Sequence, residues 1–556
     1  CSPTGTTYLD GMGPRVAQPG RSQPGERQPG EHQRFRLAST RCATAPGAVD
    51  RALLPRGCNT SRFASGLALE QKARAGFLAR HPGPNGGAHG PGRSHSGGCS
   101  RHDSGHPPTT TAPRAMSKRL TLLLAGAAGV VLLQQQLLLR RPPRLLRLSP
   151  QPIHSGSAGL DLQFSRPMHR PTIAATSRLE PTLRHRWLGK GNDLRLVVEG
   201  ERPIEQPLLL HLAGSDLRNQ KISPQNWWWD PRPWLVVNRL VADGEQLQLR
   251  RRDGTWQPLT PIWPSISQVV PLGNGRGIAV VSSDARGQEQ IWLQRLKPTG
   301  PQQDKTLLSA PQLESLEPLA SGPLLFGHVS SNLSGDLLVQ KGGFRAGSQT
   351  TELRLSNGER RSLRVKTSGP LQLIPAGGGM VVPAREGLRI DTLGEVSRSA
   401  PQILPGSREL GAFCSASGRA VLIRHWPDYR RSIELVIPGL APRQLHLGDQ
   451  AVLAVACNNA GTRIWAVLGR WSAQGRDQTI VLMDETGRIQ KQKQLNPWKL
   501  QPGTKLLMDP VRQQLLMSVS QSSQSNTGIA ALMDATTLEW REFSRIPIKE
   551  AVWLMP

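Results

Sequence analysis

Roughly the last three hundred residues alternate short apolar strands with turn residues at a regular interval. Runs in which apolar and polar residues alternate are bounded about every ten residues by Gly, Pro, Asn or Asp, the pattern of half-buried antiparallel strands. Seven turns recur in this region: Asp253-Gly254, Pro298-Thr299-Gly300, Asn357-Gly358, Thr392-Leu393-Gly394, Pro438-Gly439, Glu485-Thr486-Gly487 and Ala535-Thr536-Thr537. The 283 residues from Gly254 to Thr537 span six intervals, so one repeat is about 47 residues, the length of a propeller blade. The pattern predicts an all-β chain that ends in a β-propeller of about seven blades over residues 230–556.

Two of the repeats share a short motif. Residues 411–419 align with residues 454–462, which places Cys414 and Cys457 at equivalent positions 43 residues apart. The unit resembles the repeat of TolB-type and WD40-like propellers, in which a strand enters a Ser/Pro-Asp-Gly turn and continues into an apolar strand. Ser417 stands where that family prefers Asp. The resemblance implies a binding surface and no particular reaction, because this repeat carries many functions.

The two cysteines of the repeats allow two interpretations. In an oxidising compartment Cys414 and Cys457 would pair between adjacent blades, whereas small buried side chains need no partner. We favour the second interpretation, since isolated cysteines are most often buried core residues. The remaining four cysteines lie in the N-terminal stretch, at Cys1, Cys42, Cys58 and Cys99. No two cysteines have the spacing of metal ligands.

A small β-sandwich is predicted ahead of the repeats, over residues 155–225. Residues 160–164 alternate apolar and polar positions, and the strand ends in Phe164-Ser165-Arg166-Pro167-Met168. This F-S-x-P-M motif resembles that of the bacterial immunoglobulin-like domain of S-layer and other envelope proteins. The turn from Trp187 to Asn192 fits the W-x-G-N turn of that family, while Arg218-Asn219 stand where its acidic turn usually has Gly. The resemblance implies an extracytoplasmic spacer or adhesion module.

The N-terminal quarter divides into two segments. Residues 1–115 are rich in Gly, Pro, Arg and Ser and lack sustained apolar periodicity, so they are predicted to be a disordered low-complexity tail or upstream sequence before a natural start at Met116. Residues 116–147 are predicted to be a signal peptide or a membrane anchor. The stretch 120–139 is just long enough to span a bilayer, and no small-x-small cleavage site follows the apolar run. The anchor is therefore preferred, with the membrane as a partner through residues 120–139.

The charge and the motifs of the sequence limit the classes of function that we expect. The formal net charge is +29, from 69 Lys+Arg against 40 Asp+Glu, and the arginines are scattered rather than clustered. A basic body attracts anionic partners, although export argues against nucleic acid and leaves anionic glycan as an option. The glycine-rich stretch 273–277 lacks a following helix pattern, so it is predicted to be a plain turn. No catalytic motif and no metal or cofactor signature occurs in the sequence, and we expect a protein that is not an enzyme.

Aromatic residues supply the candidate contact sites. The first group concentrates four tryptophans at the junction of sandwich and propeller: Trp227, Trp228, Trp229, Arg232 and Trp234. The second group lies in a predicted inter-strand loop: Trp426, Tyr429 and Arg430. Exposed aromatics beside arginine can stack on sugar rings or anchor a protein partner. For the junction group, packing between the two domains is the preferred interpretation.

These features predict a non-enzymatic binding or scaffolding protein of the bacterial cell envelope that presents a propeller surface to an envelope protein. The alternatives are an envelope glycan-binding protein and, less favoured, a propeller hydrolase or lyase. The predicted location is the periplasm, with an inner-membrane anchor or after export.

Overall fold

A computed structural model describes most of the chain after residue 117. The described ranges are 118–151, 156–200, 202–320, 322–345, 347–393, 402–472, 475–521 and 527–556. The segment 1–115, for which the sequence predicts disorder or an upstream origin, lies outside these ranges.

The first described element is a solvent-exposed α-helix. Helix α1 spans Lys118–Arg140, and its side chains from Leu122 to Gln136 are exposed. Across the described ranges, no helix combines the length and the apolar character that crossing a bilayer requires. The membrane anchor over residues 120–139 stays a prediction.

Two sheets and one short helix follow. Their elements are β1 (Leu145–Pro150), β2 (Ala158–Phe164), α2 (Arg170–Thr176), β3 (Arg178–Glu180), β4 (His185–Lys190), β5 (Asp193–Val198), β6 (Leu208–Leu212) and β7 (Gln225–Trp229). One sheet has the order β1-β2-β5-β4 and the other β3-β6-β7. Inward side chains of both sheets, such as Leu160, Leu196 and Leu210, share one core. The pair of sheets is a β-sandwich; its immunoglobulin-like kinship stays a prediction.

The F-S-x-P-M motif has a structural role in this sandwich. Phe164 ends β2 inside the core, and Met168 is buried beside it. Met168 also forms a backbone bridge with Asp216, and the Asp216 carboxylate accepts hydrogen bonds from the backbone of Arg218 and Gln220 at 2.8 Å. The motif thus fixes the end of β2 against the turn at residues 216–220, which lies much later in the sequence.

The remaining strands form seven antiparallel sheets in the part of the chain that the structure describes. Blade 1 takes β8 (Trp234–Val241), β9 (Gly244–Arg250) and β10 (Trp256–Pro258). Blade 2 takes β11 (Ser265–Pro271), β12 (Gly277–Ser283), β13 (Glu289–Lys297) and β14 (Gln312–Pro318), with a 3-10 turn at Lys305–Leu307. Blade 3 takes β15 (Phe326–Ser331), β16 (Leu337–Gly342), β17 (Thr350–Arg354) and β18 (Arg360–Leu363). Blade 4 takes β19 (Gln372–Leu373), β20 (Gly379–Ala384), β21 (Gly387–Thr392) and β22 (Gln402–Pro405).

The last three sheets complete the series. Blade 5 takes β23 (Arg408–Cys414), β24 (Arg419–His425), β25 (Arg431–Val436) and β26 (Arg443–Gly448). Blade 6 takes β27 (Ala451–Cys457), β28 (Arg463–Ser472), β29 (Gly475–Asp484) and β30 (Ile489–Gln494). Blade 7 takes β31 (Lys499–Leu500), β32 (Leu507–Asp509), β33 (Gln514–Ser520), β34 (Ile529–Asp534) and β35 (Trp540–Phe543). The final strand, β36 (Ile548–Leu554), returns to pair with β8 of blade 1.

The seven sheets close into a ring. A hydrophobic core fills each space between successive blades, from blades 1 and 2 through to blades 6 and 7. A further core joins blade 7 to blade 1, where Leu516 and Leu532 pack with Val237 and Trp553. Because β36 supplies the innermost strand of blade 1, the chain end locks the ring shut. The fold is a seven-bladed β-propeller, which confirms the predicted all-β repeat architecture.

The seven turns found in the sequence occupy one position in the repeat. Each lies between the third and fourth strands of its blade, counted from the innermost strand. In blade 4 this connection is only partly seen, because Gly394 lies outside the described residues. The turns therefore mark the outer hairpins of the blades.

The preferred interpretation of the two repeat cysteines was wrong. Cys414 at the end of β23 and Cys457 at the end of β27 form a disulfide, with Cα atoms 5.5 Å apart. Both side chains are buried. Equivalent positions in neighbouring blades bring the two thiols together, so the bond links blades 5 and 6.

Candidate functional site

The propeller has two faces that differ in what covers them. The covered face is defined by the loops that join the first to the second and the third to the fourth strands; the open face is defined by the other loops. The sandwich contacts the covered face: the amide of Ile204 donates to the carbonyl of Val511 at 2.9 Å, and Arg541 pairs with Glu205 at 3.0 Å. The sandwich therefore leaves the open face to solvent and to partners.

Three of the junction tryptophans pack rather than project. Trp229 is buried in the sandwich core, and Trp227 packs against that core. Trp228 exchanges two backbone hydrogen bonds with Gln302 of blade 2, and the ammonium group of Lys305 lies 5.2 Å from its ring. These side chains join the sandwich to the propeller.

The fourth tryptophan and its arginine belong to an ionic cluster at the same junction. Trp234 is buried between blades 1 and 2, with the Arg252 guanidinium 3.9 Å above its ring. Asp230 pairs with Arg232 at 2.7 Å and with Arg252 at 3.0 Å. Burial raises the pKa of Asp230, but the hydrogen bond and charge of Arg232 and the charge of Arg252 outweigh it and leave this pKa below its usual value. We place no ligand contact in this group; such a role remains only a prediction from sequence.

The open face carries a set of exposed apolar side chains. Five large apolar residues are exposed in its loops or at the strand ends beside them: Ile262, Leu325, Phe344, Tyr429 and Trp471. We call them the open-face apolar set. By the same criterion the described residues of the covered face also expose five large apolar side chains, all of them aliphatic: Leu307, Leu313, Ile403, Leu440 and Ile489. The faces differ in their exposed aromatic residues, because Phe344, Tyr429 and Trp471 all lie on the open face. Aromatic residues are enriched in protein interfaces.

The loop that carries Tyr429 is braced from several directions. The Trp426 ring stacks under the Arg424 guanidinium at 3.7 Å, and its Nε1 donates to Ser432 Oγ at 2.9 Å. The amide of Trp426 donates to the carbonyl of Arg430, and the amide of Tyr429 donates to the carbonyl of Trp426. Tyr429 itself has φ 66° and is 88% exposed. A left-handed backbone costs a non-glycine residue about 1 kcal/mol or more, so this exposed conformation of Tyr429 lowers the stability of the protein.

Most charges around this loop are already paired. Arg430 pairs with Asp428 at 2.7 Å, and the hydrogen bond from Arg430 lowers the pKa of Asp428. On the neighbouring hairpin, Arg470 pairs with Asp449 at 3.3 Å. Such exposed pairs add little stability, but they leave the aromatic groups as the dominant feature of this part of the open face.

A turn in blade 7 places a lysine near the propeller axis. Between β31 and β32 the inner strand is interrupted by residues 501–506, where Gly503 has φ 75°. Burial and the charge of Lys505 together lower the pKa of His328 in blade 3 to about 4, against a hydrogen bond to the carbonyl of Leu371 that raises it. Burial raises the pKa of Glu550 in blade 1, against the charges of Lys505 and Lys549. His328 lies on β15, the innermost strand of blade 3, and Lys505 lies beside the innermost strand of blade 7, so both are at the inner side of the ring.

The axis thus holds one imidazole and one carboxyl group of altered pKa. Within the described ranges, no group of three or more His, Cys, Asp or Glu side chains could hold a metal ion. Burial thus favours the uncharged form of both groups.

No protein-family model and no curated protein sequence matches this chain. Among solved structures it is similar to TolB from Acinetobacter baumannii, at 13% identity and TM-score 0.35, over 68% of this chain and 84% of that one. It is also similar to a prolyl endopeptidase, at 9% identity and TM-score 0.40, over 64% of this chain and 50% of that one. A third similar structure is the β-propeller domain of Cps50 (Swd1) from Myceliophteria thermophila, at 11% identity and TM-score 0.31, over 50% of this chain and 85% of that one. At these TM-scores the propeller assignment rests on sheet order and ring closure.

Sequence reasoning found part of the open-face apolar set and missed the rest. Tyr429 was singled out because it lies beside Trp426 and Arg430 in a loop of aromatic and basic residues. Phe344 and Trp471 are single apolar residues, which an alternating pattern assigns to the core. Their position between the second and third strands of a blade is the signal that would have identified them.

Proposed function

We propose that this chain is a non-enzymatic binding protein of the bacterial cell envelope and that the open face of its propeller docks a protein partner. The observation that carries the proposal is the asymmetry between the faces. The sandwich occupies one, and among the described residues the exposed aromatic side chains, Phe344, Tyr429 and Trp471, all lie on the other. Tyrosine and tryptophan anchors surrounded by polar groups are typical of the centre of a protein interface.

The envelope part of the proposal has two supports. The Cys414–Cys457 disulfide belongs in an oxidising compartment, since disulfides are rare where thiols are kept reduced. The F-S-x-P-M strand end, with Phe164 and Met168 in the sandwich core, fits the resemblance to envelope modules. Neither support requires that α1 cross a membrane.

Site-specific photocrosslinking in the producing cell tests the proposal. A photoreactive phenylalanine analogue replaces Tyr429 or Phe344 on the open face, and Leu440 on the covered side of the same blade 5 serves as the matched control. All three positions are exposed, so each probe reaches its surroundings equally well. We expect one discrete protein adduct from positions 429 and 344 and none from 440.

A point variant checks that the contact matters. Tyr429→Ala should weaken binding of the crosslinked partner about tenfold, because an aromatic anchor is worth 1–2 kcal/mol or more, while thermal unfolding stays unchanged. An adduct formed only at 440, or none at any position, would remove the open face as the docking site.

A further inference from the structure

A cavity lies between the sandwich and the propeller, away from the open face. It has a volume of about 880 Å³. One wall is the outward face of the β1-β2-β5-β4 sheet, with Ser149 and Gln163. The other wall is formed by covered-face turns of blades 2 and 3, with Asn274 and Asn357, and by residues that follow β36. We call this cavity the interdomain cleft; neither domain forms it alone.

The two walls of the interdomain cleft are held together by polar contacts outside it. Arg541 of blade 7 bridges to Glu205 of the sandwich side, and Arg252 of blade 1 bonds Asp230 in the connection between the domains. The amide of Ile204 bonds Val511, which is packed in the sandwich core. A cavity whose walls are fixed in this way needs little reorganisation to bind a ligand.

The cleft offers two arginines for an anion. Arg147 reaches it from β1, and Arg276 reaches it from the β11–β12 turn of blade 2. Among the residues that the structure describes, neither guanidinium has a carboxylate partner, whereas Arg195 in the same cleft pairs with Asp161 at 2.7 Å. Asp193 is the one other acid in the lining. Guanidinium groups bind carboxylate or phosphate through paired N–H donors, so opposite walls present matched anion contacts.

The rest of the lining suits hydroxyl groups. The uncharged polar residues that line the cleft include Ser149, Gln151, Gln163, Asn274, Ser334 and Asn357. Amides and hydroxyls both donate and accept, as a polyhydroxylated ligand requires. The middle strands of this wall, β2 and β5, are paired on both sides, so only the marginal strands β1 and β4 offer a free edge to a peptide.

We propose that the interdomain cleft binds an acidic oligosaccharide, with Arg147 and Arg276 contacting its anionic groups and the polar side chains contacting its hydroxyls. This site is separate from the open face, so failure of one of the two proposals leaves the other unaffected.

Isothermal titration calorimetry on the full chain, at about 100 mM salt so that distant charges are screened, tests the proposal. The probes are tetragalacturonate, phosphorylated maltotetraose, uncharged maltotetraose and tetraglutamate. We expect one site for an anionic sugar and at least tenfold weaker binding of uncharged maltotetraose. The tighter of the two anionic sugars shows whether carboxylate or phosphate is the natural group.

Three variants locate the site. The double variant Arg147→Gln/Arg276→Gln should weaken binding of the anionic sugar at least tenfold. Ser149→Trp should also weaken it, because an indole on the outward face of β1 fills the cleft without a change of charge. Arg286→Gln removes an exposed arginine on the open face and should leave binding unchanged; thermal unfolding confirms that each variant is folded.

The overturning results are equally specific. Absence of binding by both anionic sugars, tetraglutamate binding as tightly as tetragalacturonate, or an equal loss with Arg286→Gln would each refute an acidic-sugar site in the interdomain cleft.

Discussion

The domain junction contains a carboxylate that destabilises the protein at neutral pH, and replacing it by an amide should raise stability. Asp509 ends β32 with no exposed surface. Its Oδ1 accepts from the amides of Val511 and Arg512 at 2.8 Å and 3.2 Å. Its Oδ2 is buried without a hydrogen-bond partner among the described residues. Burial raises the pKa of Asp509 from 3.8 to about 6, although these hydrogen bonds and the charges of Arg512 and Arg252 oppose it.

The size and sign of the effect follow from proton linkage. A pKa raised from 3.8 to about 6 means that the folded state binds a proton more tightly than the unfolded state, which at high pH costs about 3 kcal/mol of unfolding free energy. Below pH 3.8 the carboxyl group of Asp509 is protonated in both states and costs no stability. The cost grows as the pH rises from 3.8 and is complete above about 6. Asp509→Asn keeps the neutral form at every pH. Its stabilisation should therefore be about 3 kcal/mol at pH 8 and fall to about 1 kcal/mol at pH 4.5.

Urea unfolding followed by tryptophan fluorescence at pH 8 and pH 4.5 measures this difference. Asp243→Asn serves as the control, since Asp243 is exposed in the β8–β9 turn and should change neither midpoint. If Asp509→Asn lowers stability at pH 8, or shifts both midpoints equally, then the buried carboxylate is not the source of the cost.

Three further perturbations test the packing of the ring. Replacing Cys414 and Cys457 by Ser should cost about 4 kcal/mol of unfolding free energy, from the entropy of a 43-residue loop, and reductant should then no longer affect the urea midpoint. Arg408→Ala removes the 2.7 Å partner of buried Glu434 and should cost about 3 kcal/mol of unfolding free energy. A double-mutant cycle of these two residues should show a coupling energy, and additive effects of the two substitutions would contradict the pairing. Leu516→Ala, in the core that closes blade 7 onto blade 1, should cost 2–5 kcal/mol by calorimetry, and a cost below about 1 kcal/mol would argue against closure there.

The open face proposed for a protein partner and the interdomain cleft proposed for an acidic sugar are two separate surfaces. The apolar set and the polar cleft differ in chemistry, so a protein partner and a sugar would not compete for one site. An envelope protein with both could hold a partner protein against a glycan layer.

Much of the architecture was determined by local pattern. Strand alternation and the seven outer-hairpin turns depend only on residues a few positions apart, so they predict sheets and blade number without knowledge of the fold. Phe164 and Met168 likewise marked the sandwich, because a strand end and its turn are local features.

Tertiary structure decided everything that depends on which distant residues meet. The sequence could not show that Cys414 bonds Cys457, since pairing requires two blades to stand side by side. Nor could it show that the sandwich covers one face of the propeller, because an exposed and a covered turn have the same composition. Ring closure places β36 beside β8, and the packing of the sandwich on the propeller places Arg147 and Arg276 in the lining of one cleft.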